Sequence, residues 1–86
     1  MQLIVYTKPN CHFCHMMTDI LDHEFINYKE VDITKDKVAE ALLKEHGHKT
    51  VPQVYLGTRS LGGYNKVSSM VVNNTLEELL KEHTTA

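Results

Sequence analysis

The chain has 86 residues, of which 42% are apolar and 23% are charged, and its formal net charge is −2. This composition is typical of a globular protein, and the length predicts a single domain over residues 1–86 with a small core. Because there is no basic excess to hold a phosphate backbone, we expect no nucleic-acid binding. A chain of this size encloses no large ligand, so a substrate would meet a surface groove.

The N-terminus begins with a short apolar run, residues 1–6, which has no basic residue before it and ends at the Lys-Pro-Asn sequence of residues 8–10. Such a run is too short for a signal peptide or a membrane span, so we expect a cytoplasmic protein without membrane contact. The chain has two cysteines, Cys11 and Cys14. A C-x-x-C pair in a cytosolic chain indicates redox or metal chemistry rather than a structural disulfide framework.

Hydrophobic periodicity divides the first half of the chain into two strand–helix units. The predicted elements are a buried strand at 3–6, a helix with one apolar face at 11–23, a strand at 25–33 and a helix at 35–46. We expect Thr34 or Asp32 to cap the second helix and Gly47 to follow its end. The expected inner face of that helix comprises Val38, Ala39, Leu42 and Leu43.

The second half predicts a hairpin followed by two short helices. The predicted elements are a strand at 51–56, a turn at 57–58, a short strand at 59–61, the glycine pair at 62–63, and helices at 65–72 and 75–83. Asn74 with Glu77 forms a capping-box-like pair before the last helix. The order β-α-β-α-β-β-α requires a parallel crossover and an antiparallel hairpin. The predicted fold class is therefore α/β, with a four-stranded mixed sheet flanked by helices.

Cys11 and Cys14 lie where a predicted strand ends and a helix begins. Free N–H groups and the positive end of the helix dipole stabilise an anion there, which favours a reactive thiolate. We expect Cys11, at the helix end, to be the nucleophile and Cys14, one turn further in, to be the more buried resolving thiol. Attack by Cys11 on a disulfide would give a mixed disulfide that Cys14 then releases. His12, between them, either stabilises the thiolate or is exposed with little effect.

Two metal-based interpretations of the same residues stay open. Residues 11–15 also satisfy C-x-x-C-H, the pattern of c-type haem attachment, which requires export to a haem-loading compartment. Zinc or an iron–sulfur cluster would use both thiolates with further ligands, but the other candidates are six histidines scattered along the chain. We expect no obligate metal, with a cluster shared by two chains and added thiols as the alternative.

Two further segments and one lysine point to a groove beside the cysteines. A proline at a strand start, here Pro52, can mark a cis bond that leaves the backbone of Val51 free to pair with an extended substrate. The glycines at 62–63 let backbone approach a ligand, and N–H groups beside a helix start can hold a carboxylate. Lys8 could hold a carboxylate or favour the thiolate. Each alone also fits a plain strand start, a flexible turn or a solvated lysine.

Taken together, these motifs resemble the glutaredoxin family. The residues that carry the resemblance are YTKPNCHFC at 6–14, TVPQVY at 50–55 and LGGY at 61–64. They are similar, in order and spacing, to the family's Tyr-Thr-Lys-x-x-Cys-Pro-Tyr-Cys segment, its cis-proline strand and its Gly-Gly turn. The resemblance spans nearly the whole chain. It implies a thioredoxin-like fold and a glutathione-dependent thiol–disulfide oxidoreductase that reduces protein disulfides and glutathione mixed disulfides.

The resemblance also implies roles for individual residues. Cys11 would be the attacking thiolate, Cys14 the resolving thiol and His12 a modulator. Glutathione would lie in a groove lined by Lys8, Phe13, Thr50, Val51, Pro52, Gly63, Tyr64 and Asn65. Within it, Lys8 would face the glycine carboxylate, the Val51 backbone would pair with the cysteine part, and the turn at 63–65 would hold the γ-glutamyl end.

Three departures from the family pattern bear on the reductant. His12 replaces the usual proline, Phe13 replaces the usual tyrosine, and Asn65-Lys66 stand where an acidic or hydroxyl residue usually follows the turn. A carboxylate that could pair with the glutathione amino group is missing, and such a charge-assisted hydrogen bond contributes roughly 1.5–3 kcal/mol. The alternatives are a glutaredoxin-like redoxin reduced by thioredoxin reductase and an iron–sulfur cluster carrier. Expected partners are glutathione and disulfide-containing or glutathionylated proteins, with ribonucleotide reductase as a candidate, and the chain is expected to be monomeric.

Overall fold

Four short strands form one mixed sheet. The computed structural model describes residues 2–84. The strands are β1 (Leu3–Thr7), β2 (Lys29–Asp32), β3 (Gln53–Leu56) and β4 (Arg59–Gly62). Their order in the sheet is β2-β1-β3-β4, with β1 parallel to β2, and with β3 antiparallel to both β1 and β4. These pairings confirm the expected four-stranded mixed sheet. The parallel pair follows from the helical crossover between β1 and β2, and the antiparallel pair of β3 and β4 follows from the two-residue turn between them.

Helices cover both faces of this sheet. They are α1 (His12–His23), α2 (Lys37–Glu45), α3 (Tyr64–Val72) and α4 (Thr75–Thr84). Successive side chains of a strand point to opposite faces. Leu3 and Val5 of β1 therefore pack in one cluster with α1, α3 and α4, whereas Tyr6 packs in a second cluster with α2.

The larger of the two clusters fixes the helix that carries the cysteines. Met17 and Leu21 of α1 are fully buried against β1, β3 and the later helices. Full burial of an apolar side chain of this size contributes about 1.5–3 kcal/mol. The position of the α1 N-terminus is therefore set by core packing two turns away from it.

The second strand is shorter than the expected span of 25–33, which was wrong over its first four residues. Phe25 has a φ of 58° and is 93% exposed. Its N–H donates to the Asp22 carbonyl at 3.1 Å, and the Ile26 N–H donates to the Leu21 carbonyl at 2.9 Å. These bonds close the C-terminal turn of α1 with a residue in the left-handed region, so this segment ends a helix before the strand begins at Lys29.

The helix α2 begins later than expected, and its cap is neither Thr34 nor Asp32. Asp36 is the N-cap, and its Oδ1 accepts from the N–H groups of Val38 and Ala39 at 3.1 and 3.0 Å. Asp32 instead accepts from the Thr34 N–H at 2.8 Å and stabilises the preceding turn. Val38 was wrongly placed on the inner face: it is 81% exposed because it lies about 100° around the helix from Ala39, which is buried.

The remaining boundaries differ from expectation by one or two residues. Gly47 follows the end of α2 with a φ of 80°, as predicted. The third strand begins at Gln53 rather than at residue 51. Asn74 precedes α4 with a φ of 63°, whereas an N-cap residue is normally extended.

Within residues 2–84, no helix has the length and apolarity needed to cross a membrane.

Candidate active site

Cys11 occupies the N-cap position of α1. Its backbone is extended, and its sulfur accepts a hydrogen bond from the Cys14 N–H at 3.2 Å. The first turn of this helix, all of which the structure describes, contains no acidic side chain. Free N–H groups and the helix dipole stabilise an anion at this position. The structure therefore places the Cys11 sulfur at the helix end where the sequence analysis expected it, and its role as nucleophile stays a prediction.

Cys14 lies one turn further into α1 in a different environment. It is 3% exposed, whereas Cys11 is half-buried, and both are free thiols in this structure. Burial, together with the hydrogen bond to Cys11, raises the pKa of Cys14 from 9.0 to about 12, and a backbone hydrogen bond from Lys8 opposes this in part. The expected order of burial is confirmed. Of the two sulfurs, Cys14 is held protonated beside the more accessible Cys11.

The loop before β3 presents main-chain groups to Cys11. The peptide bond between Val51 and Pro52 is cis, as the sequence suggested. The Cys11 thiol donates a hydrogen bond to the Val51 carbonyl oxygen at 3.7 Å. Within residues 2–84, the Val51 N–H has no hydrogen-bond partner. A free N–H beside a reactive sulfur can pair with the main chain of an extended ligand.

A groove of about 490 Å³ opens beside this loop. We call it the site groove, and its lining residues are Phe13, Thr50, Val51, Pro52, Gly63, Tyr64, Asn65 and Lys66. The structure thus brings together seven of the eight residues expected to bind glutathione. Phe13, which is 52% exposed, and Tyr64 form one wall, with ring centroids 5.5 Å apart. Half-exposed rings of this kind offer an apolar surface to a ligand.

The far end of the site groove is the N-terminus of α3. Gly63 is the N-cap of this helix and provides no side-chain cap, so the first N–H groups of α3 stay available to an anionic group of a ligand. A Cβ at Gly63 would lie 3.4 Å from the Pro52 carbonyl oxygen. The glycine therefore allows the turn to approach the cis-proline loop closely.

Lys8, the eighth expected residue, lies beside the site groove rather than in it. It lines a neighbouring depression that shares Thr50 and Val51 with the site groove. We call this the basic depression, because it is also lined by Lys44, His48 and Lys49, with Glu40 as its acidic residue. A ligand that crosses Val51 can therefore contact both surfaces.

His12 is exposed, and its ring packs near that of Phe13, with centroids 5.9 Å apart. A modulating effect of its imidazole on the Cys11 sulfur stays a prediction. The side chain lies on the same exposed end of α1 as the wall of the site groove, so it is positioned to contact a bound partner.

Two residues of the site were missed from the sequence. Gln53 is buried, and its Nε2 donates to the Thr50 carbonyl at 3.0 Å, which fixes the loop that carries Val51. Lys66 lines the site groove, and its aliphatic stem covers Gly62, where a Cβ would lie 2.9 Å from the Lys66 Cδ. The sequence feature that could have identified Lys66 is its position in the first turn after the glycine pair, where side chains and free N–H groups face the same ligand.

Among the side chains of residues 2–82, no three from histidine, cysteine, aspartate or glutamate are grouped so that they could hold a metal ion.

Comparisons with known proteins agree with this geometry. A family model described as Glutaredoxin matches residues 3–61. Glutaredoxin 3 of Escherichia coli is 28% identical over 78 residues, which cover 90% of this chain and 94% of that protein. A buckwheat glutaredoxin–glutathione complex superposes with a TM-score of 0.79 at 27% identity, covering 93% of this chain and 76% of the other.

A second solved structure shares the fold but has a different activity profile. NrdH-redoxin from Escherichia coli, a glutaredoxin-like protein with a thioredoxin-like activity profile, superposes with a TM-score of 0.73 at 20% identity. The match covers 85% of this chain and 93% of the other, and at this identity it shows the fold alone.

A thioredoxin-like fold that presents a C-x-x-C pair at a helix N-terminus defines a thiol–disulfide oxidoreductase. The chain belongs to the glutaredoxin family. The expected α/β thioredoxin-like fold is confirmed by both the sheet topology and these structural relatives.

Proposed function

We propose that this glutaredoxin reduces protein disulfides and glutathione mixed disulfides with glutathione, through Cys11 and Cys14. The observation that carries the proposal is the continuity between the nucleophile and the site groove. Val51 contacts the Cys11 sulfur and also lines the groove. A thiol ligand that pairs with the Val51 main chain would therefore place its sulfur next to Cys11. The buckwheat relative, whose structure contains glutathione, supports the choice of ligand.

The proposed reaction begins with thiol–disulfide exchange. The Cys11 thiolate attacks one sulfur of the disulfide, forms a new S–S bond to it and expels the other sulfur as a thiolate. With a glutathione mixed disulfide, the glutathionyl sulfur stays on Cys11. A second glutathione thiolate then attacks that sulfur, leaves as glutathione disulfide and restores the Cys11 thiolate.

A protein disulfide requires the second cysteine. Cys14 loses its proton and attacks the Cys11 sulfur of the mixed disulfide, which releases the reduced protein and leaves a Cys11–Cys14 disulfide. Two glutathione molecules then reduce this bond and leave as one glutathione disulfide. The raised pKa of Cys14 depends in part on the neighbouring Cys11. Because Cys11 carries no charge in the mixed disulfide, Cys14 becomes easier to deprotonate at the step that needs it.

The described residues suggest how glutathione would lie. Its glycine carboxylate would face Lys8 in the basic depression, and its cysteine part would pair with the Val51 main chain. The γ-glutamyl end would reach the N-terminus of α3 near Asn65. We further propose that the protein works in the cytoplasm, where glutathione keeps thiols reduced, and that ribonucleotide reductase is a candidate substrate.

The decisive experiment measures turnover of a small glutathione mixed disulfide with glutathione, glutathione reductase and NADPH as the only electron supply. We expect steady turnover that Cys11→Ser abolishes. Cys14→Ser should keep this activity but lose the reduction of a protein disulfide, since only the latter requires resolution by the second thiol. Turnover by Cys11→Ser at the rate of the unmodified protein would refute the assignment of the nucleophile.

One observation favours a second candidate, a redoxin reduced by thioredoxin reductase. The site groove ends in Asn65 and Lys66, so none of the carboxylates that the structure describes lines it to pair with the amino group of glutathione. If glutathione supports no turnover but thioredoxin reductase with NADPH does, this candidate replaces the first. The roles of Cys11 and Cys14 are the same in both.

A further inference from the structure

Positive charge is concentrated around the candidate site although the chain as a whole is acidic. The net charge is −2, yet Lys66 lies at one end of the site groove, and Lys8, Lys44 and Lys49 line the basic depression at the other. Within residues 2–84, the structure pairs none of these four ammonium groups with a carboxylate. Among the described residues, Glu40 is the one acidic residue that lines either surface.

The carboxylates near Cys11 lie on a different side of it. Glu30 accepts a hydrogen bond from the Thr7 hydroxyl at 2.9 Å, and Asp32 accepts from Thr34. Both line a depression that Lys8 and His15 also line, and among residues 2–84 neither carboxylate lines the site groove or the basic depression. Of the four lysines, Lys8 therefore faces these carboxylates as well as the basic depression, whereas Lys44, Lys49 and Lys66 line surfaces that neither carboxylate lines.

An acidic protein segment fits this pattern better than glutathione does. The γ-glutamyl end of glutathione carries an ammonium group beside its carboxylate, so Lys66 would repel one of its two charges and attract the other. An extended peptide that pairs with the Val51 main chain has no such group, and its side chains can reach both cationic ends. The exposed rings of Phe13 and Tyr64 would pack against the peptide between them.

We propose that this glutaredoxin prefers protein disulfides whose cysteine is flanked by acidic residues, and that Lys66 is a specificity-determining residue. The inference rests on the proposed use of Cys11 as nucleophile, but it does not depend on which reductant restores the dithiol. Cations on both sides of a cleft concentrate an anionic partner and speed its association, an effect that salt weakens.

The test is a single-turnover reaction in which the pre-reduced protein is the only reductant. Three peptides of one length carry a cysteine in disulfide linkage to thionitrobenzoate, with flanking glutamates, glutamines or lysines. Attack by Cys11 on the peptide sulfur joins the peptide to Cys11 and expels the coloured thionitrobenzoate thiolate. Each rate is divided by the rate of the same peptide with dithiothreitol, which removes the intrinsic reactivity of the disulfide. Glutathione linked to the same group is the fourth substrate.

We expect the acidic peptide to react about tenfold faster than the lysine peptide at low salt, and this ratio to fall toward one at high salt. Lys66→Glu should remove most of the preference. Lys29→Glu should leave the preference unchanged. Lys29 is also an exposed lysine, but it lies at the start of β2 opposite Ile4, away from the end of β1 that leads to Cys11.

Equal normalised rates for the three peptides, or a preference that Lys66→Glu leaves intact, would overturn the inference, as would faster reaction of the glutathione conjugate. An acidic preference in a protein that glutathione fails to reduce would support the inference and reject glutathione as the reductant. Release of the reporter from none of the four substrates would reject the proposed nucleophile and the inference with it.

Discussion

Cys14 should resist alkylation at neutral pH while Cys11 reacts. Only thiolates react at a useful rate with iodoacetamide. A thiol whose pKa is about 12 is about 0.001% ionised at pH 7, against about 1% for a thiol with a pKa of 9. The structure therefore predicts that Cys14 reacts about 1,000-fold more slowly than an ordinary thiol. Its burial at 3% exposure slows reagent access further.

The assay treats the reduced protein with limiting iodoacetamide at pH 7 and locates the label by peptide mapping at early times. The label should lie on Cys11, and in concentrated urea both cysteines should react, since unfolding removes the burial of Cys14. A Cys14 that reacts within tenfold of Cys11 in the folded protein would refute the reasoning.

The raised pKa also implies that protonated Cys14 stabilises the fold below pH 9 and that this contribution is lost as the pH rises from 9 toward 12.

Three other changes test the groove, a helix cap and a tyrosine. Phe13→Ala should raise KM for a glutathione mixed disulfide by about threefold to tenfold with little change in stability, because the ring is half-exposed, and Phe13→Tyr should restore it. Asp36→Ala should lower the free energy of unfolding in urea by about 1 kcal/mol through loss of the α2 cap, and Asp36→Asn by less. The Tyr28 hydroxyl donates to Asp22 at 2.9 Å, and its pKa is raised to about 12 by burial and by this bond. Tyr28→Phe should therefore cost about 0.5–1 kcal/mol in thermal unfolding below pH 10, a difference that vanishes toward pH 12 as the hydroxyl ionises; a difference independent of pH would contradict this reasoning.

Sequence patterns predicted the fold well wherever a hydrophobic period was continuous. The apolar face of α1, with Met17 and Leu21, and the short apolar run of β1 each identify one element, and the connections between elements then restrict the sheet to few arrangements. Prediction failed at boundaries set by local hydrogen bonds. Phe25 belongs to a residue class that favours strands, but the end of α1 uses it in the left-handed region. Asp32 and Asp36 are equally good caps in sequence, and only the position of α2 distinguishes them.

The candidate site was predictable to the extent that its residues form contiguous motifs. Cys11, the cis-proline loop and the glycine pair each have a local signature. Gln53 has none, because its role depends on the Thr50 carbonyl that it supports. Lys66 has only its place after the glycine pair, and its contact with Gly62 depends on the folded structure. Lys8 lines the basic depression rather than the site groove because the loop at Val51 separates the two surfaces, and this too depends on tertiary packing.

The sheet topology explains why three distant segments meet at one site. Because β1 and β3 are antiparallel, with Tyr6 opposite Gln53, the end of β1 lies beside the start of β3. Because β4 is antiparallel to β3, with Gly62 opposite Val54, the end of β4 reaches the same edge. Each of these strand ends continues into a motif: the cysteine pair after β1, the cis-proline loop before β3 and the glycine pair after β4. Two helix N-termini and one unpaired main-chain N–H are thereby directed at one groove. The strands themselves contribute almost no side chains to the chemistry, so substitutions in their buried faces should alter stability before they alter the reaction.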